Sequence, residues 1–336
     1  MKVLLIGGTG TISMAITKLL LKRGDEVYLL NRGSRTAELP QGVNIITADI
    51  GNEEETAKKL EGMTFDAVGE FIGFVPSQLE RDYRLFNGKT KQFIYISSAS
   101  AYQKPLSDFK ITESTPLSNP YWQYSRDKIA CEEYLMKMYR ENGFPITIVR
   151  PSHTYDERSV PLGVHGNKGS WQVVKRMMEG KPVIIHGDGT SLWTMTHNSD
   201  FAKAYVGLIG NIHAIGEAYH ITSDESVTWN QIYQIIADCL GVKLNAYYVP
   251  SDFLAKTSNY DFTGSLIGDK SNSVVFDNSK VKRAVPDFVA TTRLDMGIKL
   301  AIDNILSKPE LQVEDPEFDE WCDKVINALE AAKAAI

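Results

Sequence analysis

An unbroken apolar run, Val3-Leu-Leu-Ile6, leads directly into Gly7-Gly-Thr-Gly10, after which residues 12–21 follow helical periodicity and stop at Gly24. A short, continuously apolar run is what a strand buried on both faces of a parallel sheet requires. Gly24 is a natural helix stop, since glycine enters the left-handed region without steric cost. A buried strand, a glycine-rich turn and a helix within the first 24 residues commit the chain to a layered α/β architecture.

The first half of the chain repeats that alternation. Further strands are predicted over 27–30, 43–46, 65–72, 93–96 and 146–149, with a long helix over about 120–142 before the last of them. Strands alternating with helices at this spacing imply a doubly wound parallel sheet with right-handed crossovers. Beyond Pro151 the texture changes. Residues 155–171 are rich in Gly, Ser, Pro and charge and read as a long loop over a cleft. A short strand (183–186), the turn Gly187-Asp-Gly189, a helix (200–209), a strand (218–222) and a helix (229–240) follow. The expected division is a dinucleotide-binding domain over 1–154, with 198–224 returning to it. A smaller C-terminal α/β substrate lobe covers 155–197 and 225–310. A helical extension over 311–336 packs on the body or on a second subunit.

With 336 residues the chain can bury a large core in two lobes. Its formal net charge of -6 offers no attraction to nucleic acid. Cys131, Cys239 and Cys322 lie far apart, so neither a disulfide framework nor a zinc site is indicated. His186 and His197 have no ligand spacing with a cysteine or carboxylate, and no metal is expected. The opening apolar run is too short for a signal-peptide core, and no stretch is apolar and long enough to span a membrane. A cytoplasmic, soluble protein is expected.

Candidate chemistry begins at the glycine turn. Gly7, Gly10 and Ser13 fall at three-residue intervals, where glycines let the backbone approach a pyrophosphate and the helix N-terminus supplies amide donors. Thr11 and Ile12 lie at the same helix start. The next strand ends in Asn31-Arg32-Gly33-Ser34-Arg35, without the carboxylate that commonly holds a ribose diol. Arg32 and Arg35 suit a 2'-phosphate, so NADP(H) is favoured and NAD(H) remains possible. Unless they do this, they are solvated loop residues. Asp49, followed by Ile50, can reach an adenine amino group or cap the next helix.

Tyr124 and Lys128 stand one helical turn apart and share a face. A neighbouring ammonium lowers a phenol's pKa and fits it for proton transfer, and the same lysine can hold ribose hydroxyls. Ser98 follows the fifth strand, at the sheet edge where ligands bind, and can hydrogen-bond a reacting substrate oxygen. Among the 15 tyrosines, Tyr124 alone has a lysine four residues on.

The set Gly7-Gly-Thr-Gly10-Thr-Ile-Ser13, Ile96-Ser-Ser98-Ala-Ser-Ala-Tyr102, Tyr124-Ser-Arg-Asp-Lys128 and Arg150-Pro151 resembles the extended short-chain dehydrogenase/reductases, the NAD(P)-dependent epimerases and dehydratases on a Rossmann fold. The stretch Gly187-Asp-Gly189 to Ala202 and the segment Phe276-Asp-Asn-Ser-Lys280 fit as well, so the resemblance covers roughly residues 1–305. It implies Ser98, Tyr124 and Lys128 as the catalytic triad, Pro151-Ser152 against the nicotinamide, a sugar or sugar-like substrate, and a homodimer. Two departures matter. The family's usual diphosphate-clamping arginine is replaced by Trp193, which brings a small non-nucleotide carbonyl substrate into view. Ser98 is followed by Ala99-Ser100 rather than Asp-Glu, which disfavours dehydration. The opening and the Asn31-Arg32-Gly33 segment also resemble an atypical branch that includes chloroplast stem-loop-binding proteins. An RNA-binding or dinucleotide-sensing relative is the remote alternative, set against the intact Tyr124 and the absence of basic surplus.

Weaker substrate candidates are Phe74, Ser100, His153 and Lys168, with Trp193. Glu70, Phe71 and Phe74 follow the fourth strand beside the nicotinamide position, Phe71 being a cofactor contact, although core packing suits both phenylalanines. His153, His165 and Lys168 lie in or beside the expected cleft loop and otherwise read as surface groups. No Gly-x-Ser-x-Gly elbow surrounds Ser98, which sets aside a hydrolase.

Overall fold

In the computed structural model, which describes residues 1–33 and 39–336, seven described strands form one parallel sheet. They are β1 (Lys2–Ile6), β2 (Glu26–Asn31), β3 (Asn44–Thr47), β4 (Ala67–Glu70), β5 (Phe93–Ile96), β6 (Ile146–Pro151) and β7 (Glu217–Ile221). Their spatial order is β7-β6-β5-β4-β1-β2-β3, with every neighbouring pair parallel. The direction of winding reverses between β1 and β4, and a crevice opens at the strands' carboxyl ends there. The predicted fourth strand is shorter than expected, because the chain leaves the sheet after Glu70.

Helices cover both faces. On one side α1 (Thr11–Arg23) lies against α6 (Asn198–Leu208) over a core that includes Ile16, Leu20, Phe201 and Tyr205. On the other, α3 (Pro76–Phe86) and α4 (Gln123–Asn142) bury Leu79, Phe86, Leu135 and Phe144; α2 (Glu53–Lys59) precedes them. Glycines end both α1, as expected, and α4. Gly24 and Gly143 adopt left-handed φ of 87° and 68° and return their amides to carbonyls of the last turn. The predicted return of the chain to the sheet occurs through α6 and β7.

A third core cluster belongs to the remaining segments, centred on Trp229 and Tyr233 of α7 (Trp229–Leu240). Most of the stretch 155–171 is a loop, as expected, but part of it is buried. Val160, Leu162 and Val164 are buried, and the chain enters α5 (Trp171–Met178) at Trp171. Its apolar residues alternate with proline and glycine, turn-forming residues that mask the short two-residue repeat. The C-terminal helix Pro316–Ala334 packs on the body through Phe318, Cys322, Val325 and Ile326. Buried Arg176 of α5 grips it through Asp319 and Asp323, each at 2.7 Å. An eight-residue π-helix, Thr263–Lys270, lies across the cleft from α4. No described helix is long and apolar enough to cross a membrane.

Candidate active site

The glycine turn is knitted together by its own residues. Ser13 Oγ donates to Gly7 O (2.9 Å) and accepts the Gly10 amide (2.9 Å), so the small residue at this position also ties the turn shut. Gly7 has φ of +83°, and a Cβ there would stand 2.6 Å from Ile72 Cγ2. The backbone's close approach therefore depends on glycine. Thr11 accepts Arg158 Nη2 at 3.0 Å through its hydroxyl and Asn198 Nδ2 at 3.0 Å through its carbonyl, and Ile12 packs on the adjoining core.

At the end of β2, Asn31 Oδ1 accepts the Gly33 amide (2.9 Å), while its buried Nδ2 has no partner among the described residues. Arg32 is exposed, and Arg35 lies outside the described residues. Asp49 is exposed and accepts the Gly51 amide, whereas Asn52 caps α2, so the capping alternative for Asp49 does not hold. Ile50 is buried. The residues present fit a dinucleotide: a cradle that a Cβ would fill, a helix N-terminus and an open amide donor at the sugar position.

Ser98, Tyr124, Pro151 and Ser152 line one cavity of about 280 Å3 at the carboxyl edge of the sheet. Ser98, two residues past β5, accepts the Ser100 amide (3.1 Å), and its hydroxyl lies 2.9 Å from that of Ser100. Ser125 Oγ donates to Ser100 Oγ (2.8 Å), and Asn119 Nδ2 fastens Ser100 O (2.8 Å) to Gly268 O (2.7 Å). Ser100 thus holds Ser98 in place as well as lining the cavity.

Lys128 is buried, and its ammonium donates to Gly73 O and Ile96 O, each at 2.8 Å, and lies 5.7 Å from the centroid of the Tyr124 ring. Burial pushes its pKa down to about 8. The expected lowering of the Tyr124 phenol is not found in this arrangement. Burial raises it, the Ser98 hydroxyl bond opposes that, and the carboxylate of Asp269 adds to the rise. Phe74 corrects another expectation: it is 46% exposed rather than in the core, and the Lys128 ammonium sits 4.8 Å from its ring centroid. Phe71 is partly buried against Tyr205.

Of the substrate candidates, Ser100, His153 and Trp193 reach the cavity. Withdrawal from solvent and nearby Lys270 keep the His153 ring neutral. Lys168 is exposed, its backbone amide bonded to Asp315, and it does not line the cavity. Sequence reasoning missed Trp122, Asp269 and Lys270, which complete the wall. It also missed a buried acid pair beneath the site. Glu70 and Asp82 are both buried there, and burial together with the charge of Asp82 raises the Glu70 pKa well above the usual carboxylate range. Asp82, paired with Arg81 at 2.7 Å, carries the charge. Asn119-Pro120, a helix-start signal, could have pointed to Asn119; nothing local marks Asp269.

The family model described as the NAD dependent epimerase/dehydratase family matches residues 3–222, and the chain belongs to that family. It is an enzyme of this family, whose members are epimerases, dehydratases and reductases. A similar relative is 2'-dehydrokanamycin reductase of Streptomyces kanamyceticus, 24% identical over 78% of this chain and 76% of its own. Another is the chloroplast stem-loop binding protein of 41 kDa b from Arabidopsis thaliana, 25% identical over 75% of this chain and 67% of its own. Among solved structures, UDP-glucuronic acid 4-epimerase from Bacillus cereus, in complex with UDP-glucuronic acid and NAD, superposes with a TM-score of 0.73. It is 21% identical and covers 91% of this chain and 99% of its own, a likeness of fold.

Proposed function

We propose that the protein transfers a hydride at a secondary alcohol or carbonyl carbon of a sugar or sugar-like substrate, with Tyr124 as the acid/base. The observation that carries this reading is the convergence of Ser98, Tyr124 and Pro151-Ser152 on one cavity at the sheet edge, with the Lys128 ammonium behind the Tyr124 ring. When bound, the dinucleotide supplies a nicotinamide C4 that takes or gives the hydride. Gly7, Gly10, Thr11 and Ile12 would hold its pyrophosphate, Asn31 and Arg32 its adenosine ribose, and Asp49-Ile50 its adenine. Tyr124 Oη takes the proton of the substrate hydroxyl as the carbon is oxidised and returns it when the carbonyl is reduced. Ser98 Oγ donates to the same oxygen and polarises it. Lys128 stands behind the Tyr124 ring, held by Gly73 O and Ile96 O, where it can reach ribose hydroxyls of the bound dinucleotide.

NADP(H) is the proposed cofactor, supported by the absence of a carboxylate at the end of β2 and by the free position of Arg32. The relation to 2'-dehydrokanamycin reductase supports net reduction of a carbonyl substrate whose product leaves. Return of the hydride to the opposite face would make the same residues an epimerase. Parallel calorimetric titration with NADP+ and NAD+ tests the cofactor, and NAD+ binding at least as tightly overturns the NADP(H) assignment. Absorbance of the reduced nicotinamide, followed across alcohol and carbonyl sugars, tests the reaction. Product formed without net absorbance change would identify epimerisation, and the absence of both would overturn the hydride-transfer reading.

A further inference from the structure

The wall facing Tyr124 is built by the π-helix Thr263–Lys270, and glycine decides how closely it approaches. A Cβ on Gly264 would overlap the Trp122 indole, and one on Gly268 would stand 3.1 Å from Tyr121 Cβ. Asn119 clamps the helix through Gly268 O. This close packing delivers Asp269 and Lys270 into the cavity. Asp269 is 6% exposed, and its Oδ1 has no hydrogen-bond partner among the described residues. Its Oδ2 lies 3.4 Å from Lys270 Nζ. On the same wall Trp193 is 3% exposed, with Nε1 likewise open and the Lys104 ammonium 6.0 Å from its ring centroid.

A buried carboxylate oxygen left open costs free energy until a donor reaches it, and a buried indole N–H asks for an acceptor. Lys270 and Lys104 offset the charge of Asp269, so what the wall leaves unmet is hydrogen bonding at single atoms. Uncharged hydroxyls satisfy both open atoms, and two tryptophan faces, Trp122 and Trp193, bound the cavity as flat apolar walls suited to C–H faces of a ring. At about 280 Å3 the cavity has room for one sugar ring, and Trp193 rather than an arginine lines it, so it offers no guanidinium to a diphosphate at that position.

We propose that this cavity binds a single, uncharged, polyhydroxylated sugar ring that carries no nucleotide, with Asp269 Oδ1 accepting a ring hydroxyl and Trp193 Nε1 donating to a ring oxygen. The inference rests on the hydride-transfer reading only for placing the reacting carbon near Tyr124. Asp269 acts here as a specificity residue on a hydroxyl beside that carbon.

The test is calorimetry of the protein saturated with reduced cofactor against hexoses, their methyl glycosides, and UDP- and dTDP-hexoses. A free hexose or methyl glycoside should bind at least tenfold more tightly than any nucleotide-linked form. Asp269→Asn should weaken that sugar roughly 10- to 100-fold and leave cofactor affinity unchanged. A deoxy analogue lacking the hydroxyl should bind the unaltered protein as weakly as the variant binds the parent sugar, with no further loss when the two are combined. If Asp269→Asn fails to fold, Trp193→Phe, which keeps the ring and removes the donor, should still weaken the sugar severalfold. Tighter binding of nucleotide sugars, binding of no sugar, or unchanged affinity in the variants overturns the inference. Turnover of nucleotide sugars alone would defeat it while leaving the hydride-transfer reading intact. Asp269-dependent sugar binding without hydride transfer would do the reverse.

Discussion

Two regions of this molecule meet at the cavity and are finished differently. The turn at Gly7–Gly10 is tied by Ser13 within a few residues and anchored to β2 by the Gly7 amide on Leu30 O. The opposite wall joins Asn119, Trp193 and Asp269 from distant parts of the chain and leaves Asp269 Oδ1 and Trp193 Nε1 open. The closed region serves a ligand whose phosphates need only backbone amides and a helix end, so a short local motif suffices. Under the proposed sugar reading, the open region serves a ligand recognised by individual polar atoms, which are buried and without a partner among the described residues. The first region therefore carries generality and the second carries specificity.

That contrast can be broken by substitutions on either side. The largest effect belongs to the point where the regions meet. Tyr124→Phe should lower turnover by roughly 10²- to 10⁴-fold with cofactor affinity unchanged, and surviving turnover would remove the proposed proton path. On the closed side, Gly7→Ala must place a Cβ at φ +83° and against Ile72. A stability loss of about 1–3 kcal/mol, with markedly weaker cofactor binding, is expected in denaturation and titration. On the open side, Gly264→Ala pushes the π-helix from Trp122. Overpacking should cost about 1–3 kcal/mol and weaken sugar binding, yet spare cofactor binding; equal damage to both would show that the regions are not separable.

The smallest effect concerns the acid pair beneath them. Folded Glu70 keeps a proton that the unfolded chain releases above its ordinary value of 4.5. The native state binds more protons in that window, so this group's contribution to stability falls as pH rises from 4.5 towards the raised native value. Glu70→Gln removes that dependence. The variant should match the parent's pH slope below 4.5 and gain relative stability above it, by roughly 2–4 °C in melting temperature at pH 8. An unchanged pH slope would mean that Glu70 is ionised in the folded protein.

Much of the fold was legible because its signals are local. Apolar runs marked β1, β2, β5 and β6, and Gly24 marked the end of α1. The errors share a cause in long-range packing. Residues 156–170 do form a loop, but Val160, Leu162 and Val164 within it are buried in the Trp229 cluster, which the proline and glycines between them did not announce. Phe74 looked like core, yet it stands exposed beside the Lys128 ammonium.

By itself the sequence determined the parallel sheet, the phosphate turn and the pairing of Tyr124 with Lys128 one turn apart, because each is settled by steric and hydrogen-bonding rules acting over a few residues. Tertiary structure alone decided that Ser100 braces Ser98, that burial and Asp82 raise the Glu70 pKa, and that Asp269 enters the cavity on a π-helix seated by glycines against Trp122. Burial and charge at those atoms come from neighbours far away in the chain, and electrostatics in a desolvated site depends on where every neighbour lies.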